Sequence, residues 1–232
     1  MRFLLSLAVL FALPAFAADH QPTFPAVDSP LLSDAPISGD FVMGKKDAPI
    51  TVIEYASLSC PHCAHFHKEI LPALQKKYID AGKVRYILRP FPLNDAALKA
   101  AELVDCVGEK EGAERYYKFV NVLFESQNQW AMDANYMKSL QTFAGVGGVG
   151  AKQFAECTGS PQREAKILNI RMDADKKLGV DHTPYLFING HRYDDEVTLE
   201  KLASYFDQIG GGAKAAPSAA ANPAVSAGAD EE

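Results

Sequence analysis

The run Ile50-Thr51-Val52-Ile53-Glu54-Tyr55, the turn Ser57-Leu58-Ser59 and the tetrad Cys60-Pro61-His62-Cys63 decide the fold. The first six residues are mostly β-branched and apolar, the pattern of a short strand buried in a sheet. A helix follows from about His62 to Ile79. Pro61 suits its first turn, where a missing N–H would be unpaired in any case. Pro72 lies inside that helix and predicts a kink. Lys83 to Leu88 reads as a second strand, so strand, helix and strand make a βαβ unit whose helix opens on a C-x-x-C pair.

Downstream the pattern changes. Ala96–Val107, Gly112–Glu125, Ala134–Phe143, Ala151–Cys157 and Pro161–Leu178 read as helices parted by glycines or polar breaks. Tyr185–Ile188 is again a strand, and Asn189-Gly190 is a hairpin signal leading to a strand near Arg192-Tyr193. Leu199, Leu202, Phe206 and Ile209 mark one apolar face of a closing helix. Gly145 to Gly150 satisfies GxGxxG but follows a helix, so it reads as an inter-helix turn and not a dinucleotide loop. Tyr116, Phe119, Phe124 and Trp130 fall at spacings that suit the core of the helical block.

A chain of 232 residues with 48% hydrophobic and 22% charged residues is ordinary globular material. Its 23 basic and 29 acidic residues give −6, which argues against a nucleic-acid partner held by phosphate neutralisation. Arg2, the apolar run Phe3–Leu13 and the exit Ala15-Phe16-Ala17 make residues 1–17 a secretory signal cut after Ala17, which points to the periplasm. Residues 18–36, with Pro22, Pro25, Pro30 and Pro36, read as an extended lead-in. That segment is short, which speaks for a monomer. Residues 210–232, rich in Ala, Gly and Pro, read as a disordered tail. Outside the cytoplasm disulfides persist, so the four cysteines are read as oxidisable.

Cys60-Pro61-His62-Cys63 at the helix start, with Thr183-Pro184 before the late strand, resembles the DsbA-like thioredoxin-fold family. Gly179-Val180 and Phe187-Ile188-Asn189-Gly190 add to the likeness, which spans roughly residues 37–209. The resemblance implies an α/β thioredoxin fold, a central mixed sheet flanked by helices, with an all-helical subdomain inserted at about 94–177. It also implies thiol–disulfide exchange on exported proteins. His182 stands where the family commonly has Gly, and Thr183 replaces the Val of the enteric oxidases. These departures leave the direction of electron flow open.

The attacking sulfur in disulfide exchange must be a thiolate and within reach of its target. Cys60 sits at the positive end of the helix, facing N–H groups that favour a negative sulfur, a setting that lowers a thiol from ~8.5 to between ~3.5 and ~7.5. Cys60 is therefore the expected exposed nucleophile, Cys63 the buried resolving thiol, Pro61 the helix opener and His62 a tuning group. By resemblance, Pro184 is cis and Thr183 offers its backbone to a substrate strand. Glu54 matches a buried acidic position that takes a proton from Cys63; a surface carboxylate at a strand edge is the other reading. With Cys60–Cys63 as the active couple, Cys106 and Cys157 remain as a structural disulfide, or else as two separate buried thiols.

No cofactor is implied, because the disulfide itself holds two electrons. The implied partners are reduced exported proteins and a quinone-linked membrane oxidase. His65 and His67, two apart on a helix, point to different sides and read as solvated; no metal is expected at the C-x-x-C. An isomerase or reductase of the same fold, and a metal-binding or chaperone-like module without turnover, are the competing functions.

Overall fold

The computed structural model describes residues 27, 29–32, 37 and 39–210. The expected signal at 1–17, most of the lead-in at 18–36 and all but the first residue of the expected tail at 210–232 lie outside the described residues.

Five strands build one sheet: β1 (Val42–Met43), β2 (Ile50–Ala56), β3 (Val84–Pro90), β4 (Tyr185–Ile188) and β5 (His191–Arg192). Their order is β1-β3-β2-β4-β5. The β2–β3 pair is parallel and the other pairs are antiparallel, so the sheet is mixed. All seven residues of β2 are buried, as a central strand covered on both faces requires. Alternation then sorts its side chains. Ile53 and Tyr55 join Ile87, Ala174 and Phe187 on one face. Val52 and Ala56 join Cys63, Phe66 and Leu186 on the other. Glu54 shares the parity of Val52 and therefore points toward the helix that carries the cysteines.

That helix is not uniform. α1 (Pro61–His65) passes into a π-helical turn at Phe66–Ile70, then α2 (Leu71–Leu74), then a second π turn at Gln75–Ile79. Pro72 explains the first change. It has no N–H for the Lys68 carbonyl, and the chain widens just upstream, where the Leu71 N–H reaches back to the Phe66 carbonyl. The kink expected at Pro72 is thus taken up as a π segment before it.

Between β3 and β4 lie α3 (Asp95–Glu111), α4 (Ala113–Glu125), α5 (Tyr136–Val146), α6 (Ala151–Thr158) and α7 (Pro161–Leu178). Asn94 and Ser160 cap α3 and α7 by accepting backbone N–H groups, and Gly179 ends α7 in the left-handed region at φ 69°. Tyr116, Phe119, Phe124 and Trp130 are all buried in one core with the β2–α1 unit. The insertion is therefore fused to the active-site layer. Asn189 (φ 50°) and Gly190 (φ 78°) form the tight hairpin of β4 and β5. The closing helix α8 (Leu199–Gly210) buries Leu202 and Phe206. Leu199 does not share that face: it is 37% exposed, because it sits at the first turn beside an open groove.

Cys106 of α3 and Cys157 of α6 are joined by a disulfide across 51 residues of sequence. In the chain-entropy account a loop of that size constrains the unfolded state by about 4 kcal/mol. The Cys106→Ala/Cys157→Ala protein is expected to lose about that much stability in urea while keeping exchange activity. An unchanged unfolding midpoint would show that the bridge constrains nothing.

Candidate active site

Cys60 is the N-cap of α1 and has extended backbone angles (φ −81°, ψ 122°), with Pro61 at the first helical position. Pro61 and His62 are exposed, whereas Cys60 itself is only 5% exposed, so the expected open thiol is a correction. The covering chain is the Thr183 segment: the Cys60 thiol donates to the Thr183 carbonyl at 3.3 Å. The Thr183–Pro184 peptide is cis. Gln127, from the helical block, donates to the carbonyls of Leu58 (2.8 Å) and Cys60 (2.9 Å) and fixes the turn before the helix. Nothing in the sequence reading singled out Gln127, because its partners lie almost seventy residues upstream.

The two thiols are pushed in opposite directions. Cys60 is lowered to about 5, chiefly by a hydrogen bond from the Cys63 thiol. Burial works against this, while the Thr183 side chain and the backbone N–H groups of Cys63 and His62 assist. The Thr183 hydroxyl is buried and makes no other hydrogen bond, so it is the donor that remains when ionised Cys60 can no longer donate to the carbonyl. His62 thus contributes through its backbone, while its ring stands in solvent beside the groove. Cys63 is fully buried and raised well above its ordinary value, first by desolvation, then by its bond to Cys60 and the charge of Glu54.

Glu54 is fully buried in the middle of the sheet, which removes the surface-carboxylate reading. Its Oε2 accepts from Tyr86, at a short distance, and lies 3.1 Å from His67 Nε2. His67 is 4% exposed, so the reading of it as solvated is also corrected. The available signal was its position, four residues after Cys63 on one helix face. Among the described residues no group of three or more His, Cys, Asp and Glu side chains stands close enough to hold a metal ion. A groove of about 680 Å³ runs past the site, lined by His62, Phe66, His182, Thr183, Pro184 and Leu199 among others. Cys106 and Cys157 take no part in this cluster.

A family model described as Thioredoxin matches residues 37–208. The crystal structure of alpha-DsbA1 from Wolbachia pipientis superposes with a TM-score of 0.71 at 34% identity, covering 76% of this chain and 93% of that one. This chain belongs to the DsbA-like thioredoxin-fold family. A Rickettsia typhi protein named as a protein-disulfide oxidoreductase is 34% identical over 66% of the DsbA-like chain, which spans 56% of that relative's length. Disulfide bond formation protein D of Bacillus subtilis is 26% identical over 66% of the chain and 69% of its own length. No helix among the described residues of the DsbA-like chain is long and apolar enough to cross a membrane.

Proposed function

We propose that this protein is a periplasmic dithiol oxidase that introduces disulfides into reduced exported proteins through Cys60 and Cys63. The observation that carries the reading is the opposed pair of thiols, Cys60 lowered to about 5 and Cys63 raised and buried. A thiolate stabilised in the reduced form makes the corresponding disulfide oxidising. In the oxidised enzyme a substrate thiolate attacks the Cys60 sulfur, and the Cys60–Cys63 bond breaks with its electron pair passing to Cys63, which takes up a proton. A second substrate thiolate then attacks the mixed disulfide at the substrate sulfur and expels Cys60 as a thiolate. The substrate leaves with a disulfide and the enzyme holds two more electrons.

The groove beside Thr183 and Pro184 is where the substrate chain would lie, its backbone pairing with Thr183 in extended geometry. The enzyme acts as a monomer without cofactor, and a quinone-linked membrane oxidase returns it to the disulfide state. Trapping the thiols in cells by acid and alkylation tests the direction: an oxidase keeps Cys60–Cys63 mainly oxidised. A mainly reduced pair would assign the isomerase or reductase role instead. A purified protein that neither oxidises a dithiol peptide nor reduces a disulfide would be a binding module.

A further inference from the structure

The buried trio behind Cys63 has an outer side that thiol exchange alone leaves unused. Glu54, His67 and Tyr86 meet at one point: His67 Nε2 lies 3.1 Å from Glu54 Oε2 and 3.2 Å from the Tyr86 hydroxyl. Both of these close contacts fall on Oε2. Glu54 Oε1 and His67 Nδ1 are buried and have no hydrogen-bond partner within the protein. Two unpaired polar atoms at opposite ends of one hydrogen-bonded chain are costly unless something uses them. On the far side of the helix from the substrate groove, a second cleft of about 320 Å³ is lined by His67, Lys68, Pro72, Asn121, Phe124 and Glu125. The two nitrogens of an imidazole point to nearly opposite sides of the ring. With Nε2 turned inward to Glu54, Nδ1 is turned toward that cleft, which is roomy and polar enough for water.

We propose that His67 is the outer half of a proton path that connects Cys63, through Glu54, to solvent in the second cleft, separate from the groove that takes the substrate. The inference rests on the dithiol–disulfide role above. When the Cys60–Cys63 bond breaks, the Cys63 sulfur receives the electron pair and needs a proton. Glu54 gives it from Oε1. The carboxylate takes the Nε2 proton of His67, and the ring takes a proton at Nδ1 from water in the cleft. The ring returns to its neutral state as the other tautomer, and one hydroxide equivalent is left in solvent. Reoxidation of the enzyme runs the same transfers backward. Tyr86 stays protonated, since burial and the Glu54 charge raise it well above its ordinary value, and serves to hold the carboxylate.

The groups that face His67 are Glu54 from β2, Tyr86 from β3 and Phe124 from α4, whose ring centroid is 4.3 Å away. Lys68 and Glu125 line the cleft with it. The π turn at Phe66–Ile70 carries His67 and is the local geometry that positions it. His67 touches no reacting atom, so it is a positioning and relay residue.

The experiment compares the full chain with His67→Gln and His67→Ala, mixing oxidised enzyme with a dithiol peptide and following loss of the Cys60–Cys63 disulfide against pH. Gln can keep the hydrogen bond to Glu54 but cannot carry a proton. Both variants are expected to slow the step by about 10-fold or more, below the roughly 10²–10⁴ of a group that transfers a proton directly. Imidazole added to His67→Ala should restore the rate through the cleft. Alkylation of Cys60 by iodoacetamide should be unchanged, which shows that the fold and the nucleophile are intact. A His67→Gln protein as fast as the unaltered one would overturn the relay, as would an Ala variant that imidazole does not rescue. If the unaltered protein itself fails to oxidise the peptide, the oxidase reading fails instead.

Discussion

Cys60→Ser is expected to bring dithiol oxidation down to the uncatalysed background, whereas Cys63→Ser should accumulate covalent adducts with substrate proteins. At pH 7 a thiol lowered to about 5 is ionised in roughly 99 of 100 molecules. A serine hydroxyl at position 60 would not ionise at all, so no attack or acceptance can begin there. Cys63 cannot stand in, because it is fully buried and its thiol is raised well above its ordinary value. In Cys63→Ser the nucleophile survives and the group that would release the mixed disulfide is gone. Serine is the informative replacement, since the largest influence on Cys60 is the hydrogen bond from side chain 63 and a hydroxyl can still donate it. Cys63→Ala should raise the Cys60 pKa. Non-reducing gels of protein recovered after alkylation would settle the roles. Adducts on Cys60→Ser, and none on Cys63→Ser, would reverse them.

How much of this was readable from residues alone differs from element to element. β2 stood out because a central strand buried on both faces must be apolar almost throughout, and β4 because Asn189-Gly190 announces the turn behind it. The helix start could be placed because proline is tolerated at its first position and almost nowhere later. β1 escaped because a two-residue strand has no period; only its pairing of Val42 with Ile87 and Met43 with Tyr86 makes it one. The π turns escaped because spacing records which side faces the core and not how many residues close a turn.

Cys60 and His67 were misplaced for a shared reason. Burial of a residue at a helix start or on a helix flank depends on what other segments lay over it: the Thr183 loop for Cys60, and Glu54 with Phe124 for His67. Those partners come from sequence positions that local patterning does not connect. The chemistry of the Cys60–Cys63 pair was legible; the groups that bias and supply it were not.

The stability of the reduced protein relative to the oxidised one is expected to rise with pH from about 5 to ~8.5 and to fall above that. In the folded reduced chain Cys60 titrates at about 5, against ~8.5 for an unfolded cysteine. Between those values the unfolded chain holds one proton more than the folded one, so folding gains about 1.4 kcal/mol per pH unit. The depressed group therefore stabilises fully above ~8.5, and that stabilisation is lost as pH falls through about 5. Cys63 acts the other way. Its folded value is raised, so it costs nothing below ~8.5 and destabilises the reduced fold above that, where an unfolded Cys63 would ionise and the folded one cannot. The oxidised protein carries neither titration. Subtracting its urea stability at each pH removes every other ionisable group and leaves the two thiols alone. From pH 5 to pH 7 the difference should grow by about 2 kcal/mol, ample to resolve in paired denaturant curves. The same slope is the pH dependence of the oxidising power of the Cys60–Cys63 disulfide, because both measure how strongly the fold prefers a thiolate at Cys60. Parallel stability curves for the two redox states between pH 5 and 8 would mean that Cys60 is not ionised in that range, and the chemical basis for an oxidase would go with it.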